Sequence, residues 1–211
     1  LAETTDLIKG VVGWIDLKSD TLAQQLDELA DYSKLVGFRH VLQGEKDQEF
    51  MKHPDFIRGL EMLADRGYRY DLLIFAEQIP AAIEMLKKVP NLHVVIDHIA
   101  KPNIKTARDL DRWQQGMTLL AKNPNCYCKL SGMVTEADWQ HWNPADFQPY
   151  MKTVLSLFGE QRIMFGSDWP VCLVAATYQQ VKQLTSDFID VHAPAAKNKI
   201  FSDNARRFYQ L

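Results

Sequence analysis

The sequence predicts an α/β chain whose parallel strands curl into a barrel, and three observations predict it. Six short apolar runs alternate strictly with six stretches of helical periodicity, the order that yields a parallel sheet with right-handed crossovers. Five of the six runs carry a chemically capable side chain at or near the C-terminal end: Asp16, Arg39, His98, Lys129 with Ser131, and Asp168. A barrel gathers such ends around one mouth, whereas an open doubly wound sheet concentrates its ligands at a single crevice. No GxGxxG or GxxxxGKS/T pattern follows the first run, which removes the usual nucleotide-binding readings.

The elements follow in order. The first run, residues 10–17 (GVVGWIDL), brings Trp14 and Asp16 toward its end. Leucines and alanines at three- and four-residue intervals then predict a helix over 21–33. The second run, 35–42 (LVGFRHVL), delivers Arg39, with Gly37 leaving room below it, and a helix over 56–66 follows. The third, 68–75 (YRYDLLIF), leads into a helix over Ile79–Lys88. The fourth, 92–99 (LHVVIDHI), closes on His98, and Ala100-Lys101-Pro102 opens a loop before a helix over Leu110–Ala121. In the fifth, 126–131 (CYCKLS), alternation puts Cys126, Cys128 and Leu130 on one face and Tyr127, Lys129 and Ser131 on the other, toward the mouth. The same parity groups Arg39 with Gly37, His98 with Val94 and Ile96, and Asp168 with Gly166 and Met164. A helix over 147–158 precedes the sixth run, 163–168, which ends in Gly166-Ser167-Asp168 before Trp169-Pro170. The proline pushes its predecessor out of helical geometry, so the chain turns outward there and the last helical pattern waits until Tyr178.

With 211 residues the chain suits one domain, residues 1–211, with a large core. A net charge of −3 with interspersed signs provides neither a basic face for nucleic acid nor a polybasic block for membranes. Small polar substrates are the expected partners. Three cysteines in no paired or CxxC spacing read as buried thiols of a reducing, cytoplasmic setting. No apolar run approaches the ~18 residues of a membrane span.

Asp168 is the leading catalytic candidate, because a carboxylate at a strand tip is placed to work on a water or a metal. His98, at the same mouth, is its partner. Arg39, Lys129 and Ser131 are read as substrate-binding, with Trp14 and Trp169 as faces for a sugar; Arg39 and Lys129 could instead pair with neighbouring carboxylates. Trp113, Trp139 and Trp142 are assigned to packing. His93 lies at the wrong end of its strand, His40 faces away from Arg39, and His53, His141 and His192 read as solvated.

The combination FGSDWPVC, VVIDHIAKP, CYCKLSGM and GVVGWIDL, ending in NARRFYQL, resembles the sugar-lactonase branch of the amidohydrolase superfamily. These amidohydrolase-related (amidohydrolase family 2) TIM-barrel hydrolases include L-fuconolactone, L-rhamnonolactone and pyrone-dicarboxylate lactone hydrolases. The resemblance implies a distorted (β/α)₈ barrel in which His98 and Asp168 face the substrate, and lactone opening with Asp168 as base and His98 polarising the carbonyl or binding a divalent metal such as zinc. It also implies a first strand with an HxH pair, which residues 1–10 (LAETTDLIKG) do not contain. On the family pattern the six runs are strands three to eight, so roughly 65 to 75 preceding residues would complete a barrel of typical size. Otherwise a partner is expected over the open edges, as in an oligomer. With His98 and Asp168 an incomplete ligand set, the expectation for this chain by itself is no stoichiometric metal and no hydrolase activity. His98 and Asp168 should converge to within roughly 8 Å. The rival readings are a related metal-dependent amidohydrolase or decarboxylase, a Schiff-base lyase using Lys129, and an inactive fragment or binding module.

Overall fold

The structure, a computed structural model, describes residues 2–211. Strands β1 (Val11–Gly13), β2 (Leu35–Phe38), β3 (Arg69–Leu72), β4 (Val94–Ile96), β5 (Cys126–Leu130) and β6 (Ile163–Phe165) form one sheet in that sequential order. Every neighbouring pair is parallel. Helices α1 (Leu22–Leu29), α2 (Pro54–Asp65), α3 (Ile79–Lys88), α4 (Leu110–Ala121), α5 (Pro144–Phe158) and α6 (Tyr178–His192) alternate with the strands, and α7 (Asn204–Tyr209) ends the described chain. These are consecutive β/α units of a TIM-barrel wall.

The wall is curved. Arg39, just past β2, reaches Asp97, just past β4, and Lys129 on β5 reaches Asp71 on β3. Side chains from strands that are not neighbours meet in this way only across a concave face. On the convex side the helices close the main core, where Val94 and Ile96 of β4 and Cys126, Cys128 and Leu130 of β5 pack with Leu86, Trp113, Met117, Phe147 and Val154. On the concave side Val95, Met164 and Phe208 form a smaller cluster with Tyr127 and Tyr209.

Two departures from the sequence expectations have physical causes. The strands are shorter than the apolar runs, because the ladders stop before the polar tips and the chain passes into short turns, of 3₁₀ form at Leu42–Gly44 and Val171–Val174 and left-handed within Asp97–Ala100. The parity expected for β4 is also wrong. Val94 and Ile96 belong to the helix-side core, and Val95 is the residue that faces inward. His98 reaches the mouth by another route, since residues 98–101 all take positive φ (54°, 49°, 58° and 46°), and alternation does not extend past the strand end. For β5 the expected sorting of faces is observed, and all three cysteines are buried free thiols. Burial pushes the Cys126 thiol up to about 12.

The C-terminal residues return to the inside of the curl. Arg69, at the start of β3, donates through Nε to the Phe208 carbonyl oxygen, and the Tyr209 hydroxyl bonds Asp71 at 2.8 and 3.0 Å. No local pattern in the sequence signals this return. Among the described residues, no helix is long and apolar enough to cross a membrane.

Candidate active site

Asp168 stands three residues beyond β6 with φ 56°, and its carbonyl oxygen accepts the Cys172 N–H at 2.8 Å. His98 stands two residues beyond β4. Its Nε2 lies 3.4 Å from Asp168 Oδ1, with the two side chains 11% and 9% exposed. The other imidazole nitrogen, Nδ1, is 2.9 Å from Ser131 Oγ. Gly132 makes room for that ring: its φ is 61°, and a Cβ there would sit 2.5 Å from His98 Cγ. Ser131 is itself buried, so its hydroxyl meets the imidazole.

Beneath this pair lies a lattice of buried charge. Arg39 Nη1 donates to Asp97 Oδ2 at 3.1 Å, Lys129 Nζ sits 2.7 Å from Asp97 Oδ1, and Lys129 also donates to Asp71 Oδ2. Two carboxylates and two cations balance, as buried charges must. Burial alone would raise Asp97, but the Lys129 ammonium, with His98 and Arg39, holds its carboxyl below the usual range. Burial wins at Asp71, where the carboxyl is pushed up and Lys129 offsets only part. Burial works against the Lys129 charge too, yet Asp71 and Asp97 hold its ammonium well above the ordinary lysine value. An ammonium so held has no free lone pair, which counts against the Schiff-base reading.

The two central groups are tuned in opposite directions. Burial lowers His98 to about 4, with Lys101, Lys129 and Arg39 adding to the effect and Asp97 opposing it. Burial raises Asp168 to about 6, with Asp97 and Glu136 adding and Lys101 opposing. The imidazole is therefore neutral at pH 7 and the carboxylate mostly ionised.

Of the residues picked from the sequence, His98, Asp168 and Ser131 come together directly, and Arg39 and Lys129 join them through Asp97. Trp14 is exposed with its ring 6.5 Å from that of His40. Trp169 is exposed, and its backbone N–H donates to Ser167 Oγ at 3.2 Å. Asp16 caps a local turn through the Lys18 N–H. The assignment of Trp139 to packing is overturned, since it is 55% exposed and lines a cavity.

Sequence reasoning missed Asp71, Asp97, Lys101, Glu136 and Tyr209. For the two aspartates a signal exists, because an acid inside an apolar run must find a buried cation. Tyr209 has none.

A divalent metal, implied by the family resemblance, can be tested against the donors. Asp168 Oδ2 is buried without a hydrogen-bond partner and, with His98 Nε2, gives two donors. Among the described residues no group of three or more His, Cys, Asp or Glu could hold a metal ion, and a catalytic zinc takes three protein ligands. The donors of this chain alone do not make up that set.

Comparison with known proteins places this architecture. The family profile for amidohydrolases matches residues 1–211. An L-fucono-1,5-lactonase from Burkholderia multivorans is 39% identical over 97% of this chain and 72% of its own length. One from Burkholderia ambifaria is 33% identical over 100% of this chain and 73% of its own. The crystal structure of a Burkholderia multivorans amidohydrolase with bound zinc superposes with a TM-score of 0.91 at 37% identity, covering 96% of this chain and 74% of that one. A profile that runs from the first residue to the last, on a curled parallel wall with a histidine and an aspartate facing each other at strand tips, makes this chain a member of the amidohydrolase family.

Proposed function

We propose that this wall, within a complete barrel, serves the hydrolysis of a small hydroxylated lactone, with Asp168 as general base toward water and the neutral His98 imidazole polarising the ester carbonyl. The observation that carries this reading is the 3.4 Å approach of His98 Nε2 to Asp168 Oδ1 at the strand tips, with Asp168 Oδ2 buried and unpartnered. A carboxylate raised to about 6 accepts a proton better than an ordinary one and is still ionised at neutrality. If Ser131 donates its hydroxyl proton to His98 Nδ1, the imidazole proton resides on Nε2, aimed where negative charge builds on the carbonyl oxygen. Water gives a proton to Asp168 and its oxygen to the acyl carbon. The ring C–O bond then breaks, and the departing alkoxide takes the proton back from Asp168 to leave an open-chain hydroxy acid. Arg39, 43% exposed and holding Asp97 through only one nitrogen, has donors left for substrate oxygens, and Trp14 and Trp169 offer exposed faces at the rim. Lys129 acts on the substrate through Asp97. The names of the two lactonase relatives support the substrate class.

Asp168→Asn tests the reading. In the intact protein it should cut turnover of L-fucono-1,5-lactone by at least ~100-fold while leaving the circular dichroism spectrum unchanged. Because the base must be ionised, wild-type kcat/KM should fall as pH drops through about 6. Near-normal turnover of the variant would remove Asp168 from the mechanism.

A further inference from the structure

We infer that the cavity among the loops after β3, β4 and β5, which shares the left-handed turn of His98, is a subsite for the polyhydroxylated end of a lactone or of its open-chain acid, with Trp139 as stacking face and Lys101 and Glu136 as polar floor. The identity of the ligand rests on the hydrolase reading; the existence of the subsite rests on geometry.

The cavity measures about 770 Å³ and opens between the loops that follow β3, β4 and β5, with Phe75, Lys101, Glu136, Asp138 and Trp139 among its walls. That volume suits a small molecule. Lys101 closes the left-handed turn that begins at His98, so a single backbone device presents both side chains. Four successive non-glycine residues at positive φ are costly, and such strain gathers where function demands a particular placement. Lys101 Nζ lies 3.1 Å from Glu136 Oε1, with the side chains only 12% and 19% exposed, and 5.7 Å from the centre of the Phe75 ring. Lys101 stands three residues after His98 in that turn, and the charges of Lys101 and Glu136 act on Asp168, which couples the floor of the cavity to the acid–base pair.

Trp139 completes the wall. Its Nε1 donates to the Thr135 carbonyl oxygen at 2.9 Å, which ties the indole edge to the chain while more than half of the residue stays exposed. A ring fixed by its edge leaves its π-face available, and the C–H face of a polyol packs on such a surface. The ammonium of Lys101 donates and the carboxylate of Glu136 accepts, which matches hydroxyls able to do both.

The test is calorimetric titration of the protein with L-fuconate, the open-chain acid of L-fucono-1,5-lactone, with hexanoate as the acid lacking hydroxyls. L-fuconate should bind and hexanoate should not. Trp139→Ala and Glu136→Gln should each weaken L-fuconate by about tenfold, whereas Trp139→Phe, which keeps a stacking face, should stay within about threefold. Should a variant fail to fold, labelled wild-type protein gives the answer by NMR, since L-fuconate should shift the Trp139 indole N–H signal. No binding of L-fuconate, equal binding by the folded variants, or an unmoved indole signal would overturn the subsite. Binding weakened by the variants with no lactone turnover would leave the subsite standing and remove the hydrolase reading. Turnover with KM unchanged in the variants would do the reverse.

Discussion

Lys129 sits between Asp71 and Asp97, and Asp97 in turn holds Arg39. Removing the central cation leaves buried Asp97 with only Arg39 and buried Asp71 with only the Tyr209 hydroxyl. Lys129→Met should therefore destabilise the fold by roughly 3–5 kcal/mol in urea unfolding, the usual cost of breaking a buried ion pair from one side. A loss below about 1 kcal/mol, the value of an exposed pair, would show that water screens the lattice. Residues such as Asp168 and His98 were legible in the sequence because each closes an apolar run, where a polar side chain stands out. Asp97 was passed over although it adjoins His98, because its role depends on cations 58 and 32 residues away that no local pattern reveals. Asp71 is hidden in the same way, lying mid-strand with its partner on another strand, whereas Lys129 was picked out without the two carboxylates it holds.

At the scale of the element, the left-handed turn after β4 decides where the site points. It turns His98 against Ser131 and Asp168, and Gly132 is the floor that lets the ring lie there. Gly132→Ala puts a Cβ into the imidazole and strains a residue whose φ is 61°. Turnover should fall about 10- to 100-fold through a displaced His98, with melting lowered only modestly. An unchanged rate would mean that the ring has another way to sit. Helices were legible in the sequence, with α3 and α4 found to the residue, because their apolar spacing repeats over three turns. Strand ends were not. Hydrophobicity continues past the last ladder bond, and a run such as LHVVIDHI looks the same whether it stops at Ile96 or at Ile99. The positive φ values that follow are invisible because none of residues 98–101 is a glycine.

At the scale of the whole molecule, parallel order followed from strict alternation and curvature from the polar side chains at the strand ends, while the inner filling did not. Phe208 is 2% exposed in the concave cluster with Val95 and Met164. Phe208→Ala should cost roughly 3–5 kcal/mol in urea, as for a buried aromatic in a main core, and a surface-like loss under 0.5 kcal/mol would place the ring outside the curl. The bonds from Arg69 to Phe208 and from Tyr209 to Asp71 span 139 and 138 residues, whereas each strand finds its neighbours through the next β/α unit. Closing so long a loop carries a large entropic cost before any contact rewards it. These separations predict that the wall forms unit by unit and that its inner face is sealed last. Until Phe208 and Tyr209 dock, Asp71 lacks its phenol and the inner apolar surface stands open. The final few residues thus act as the keystone of a vault raised from its sides.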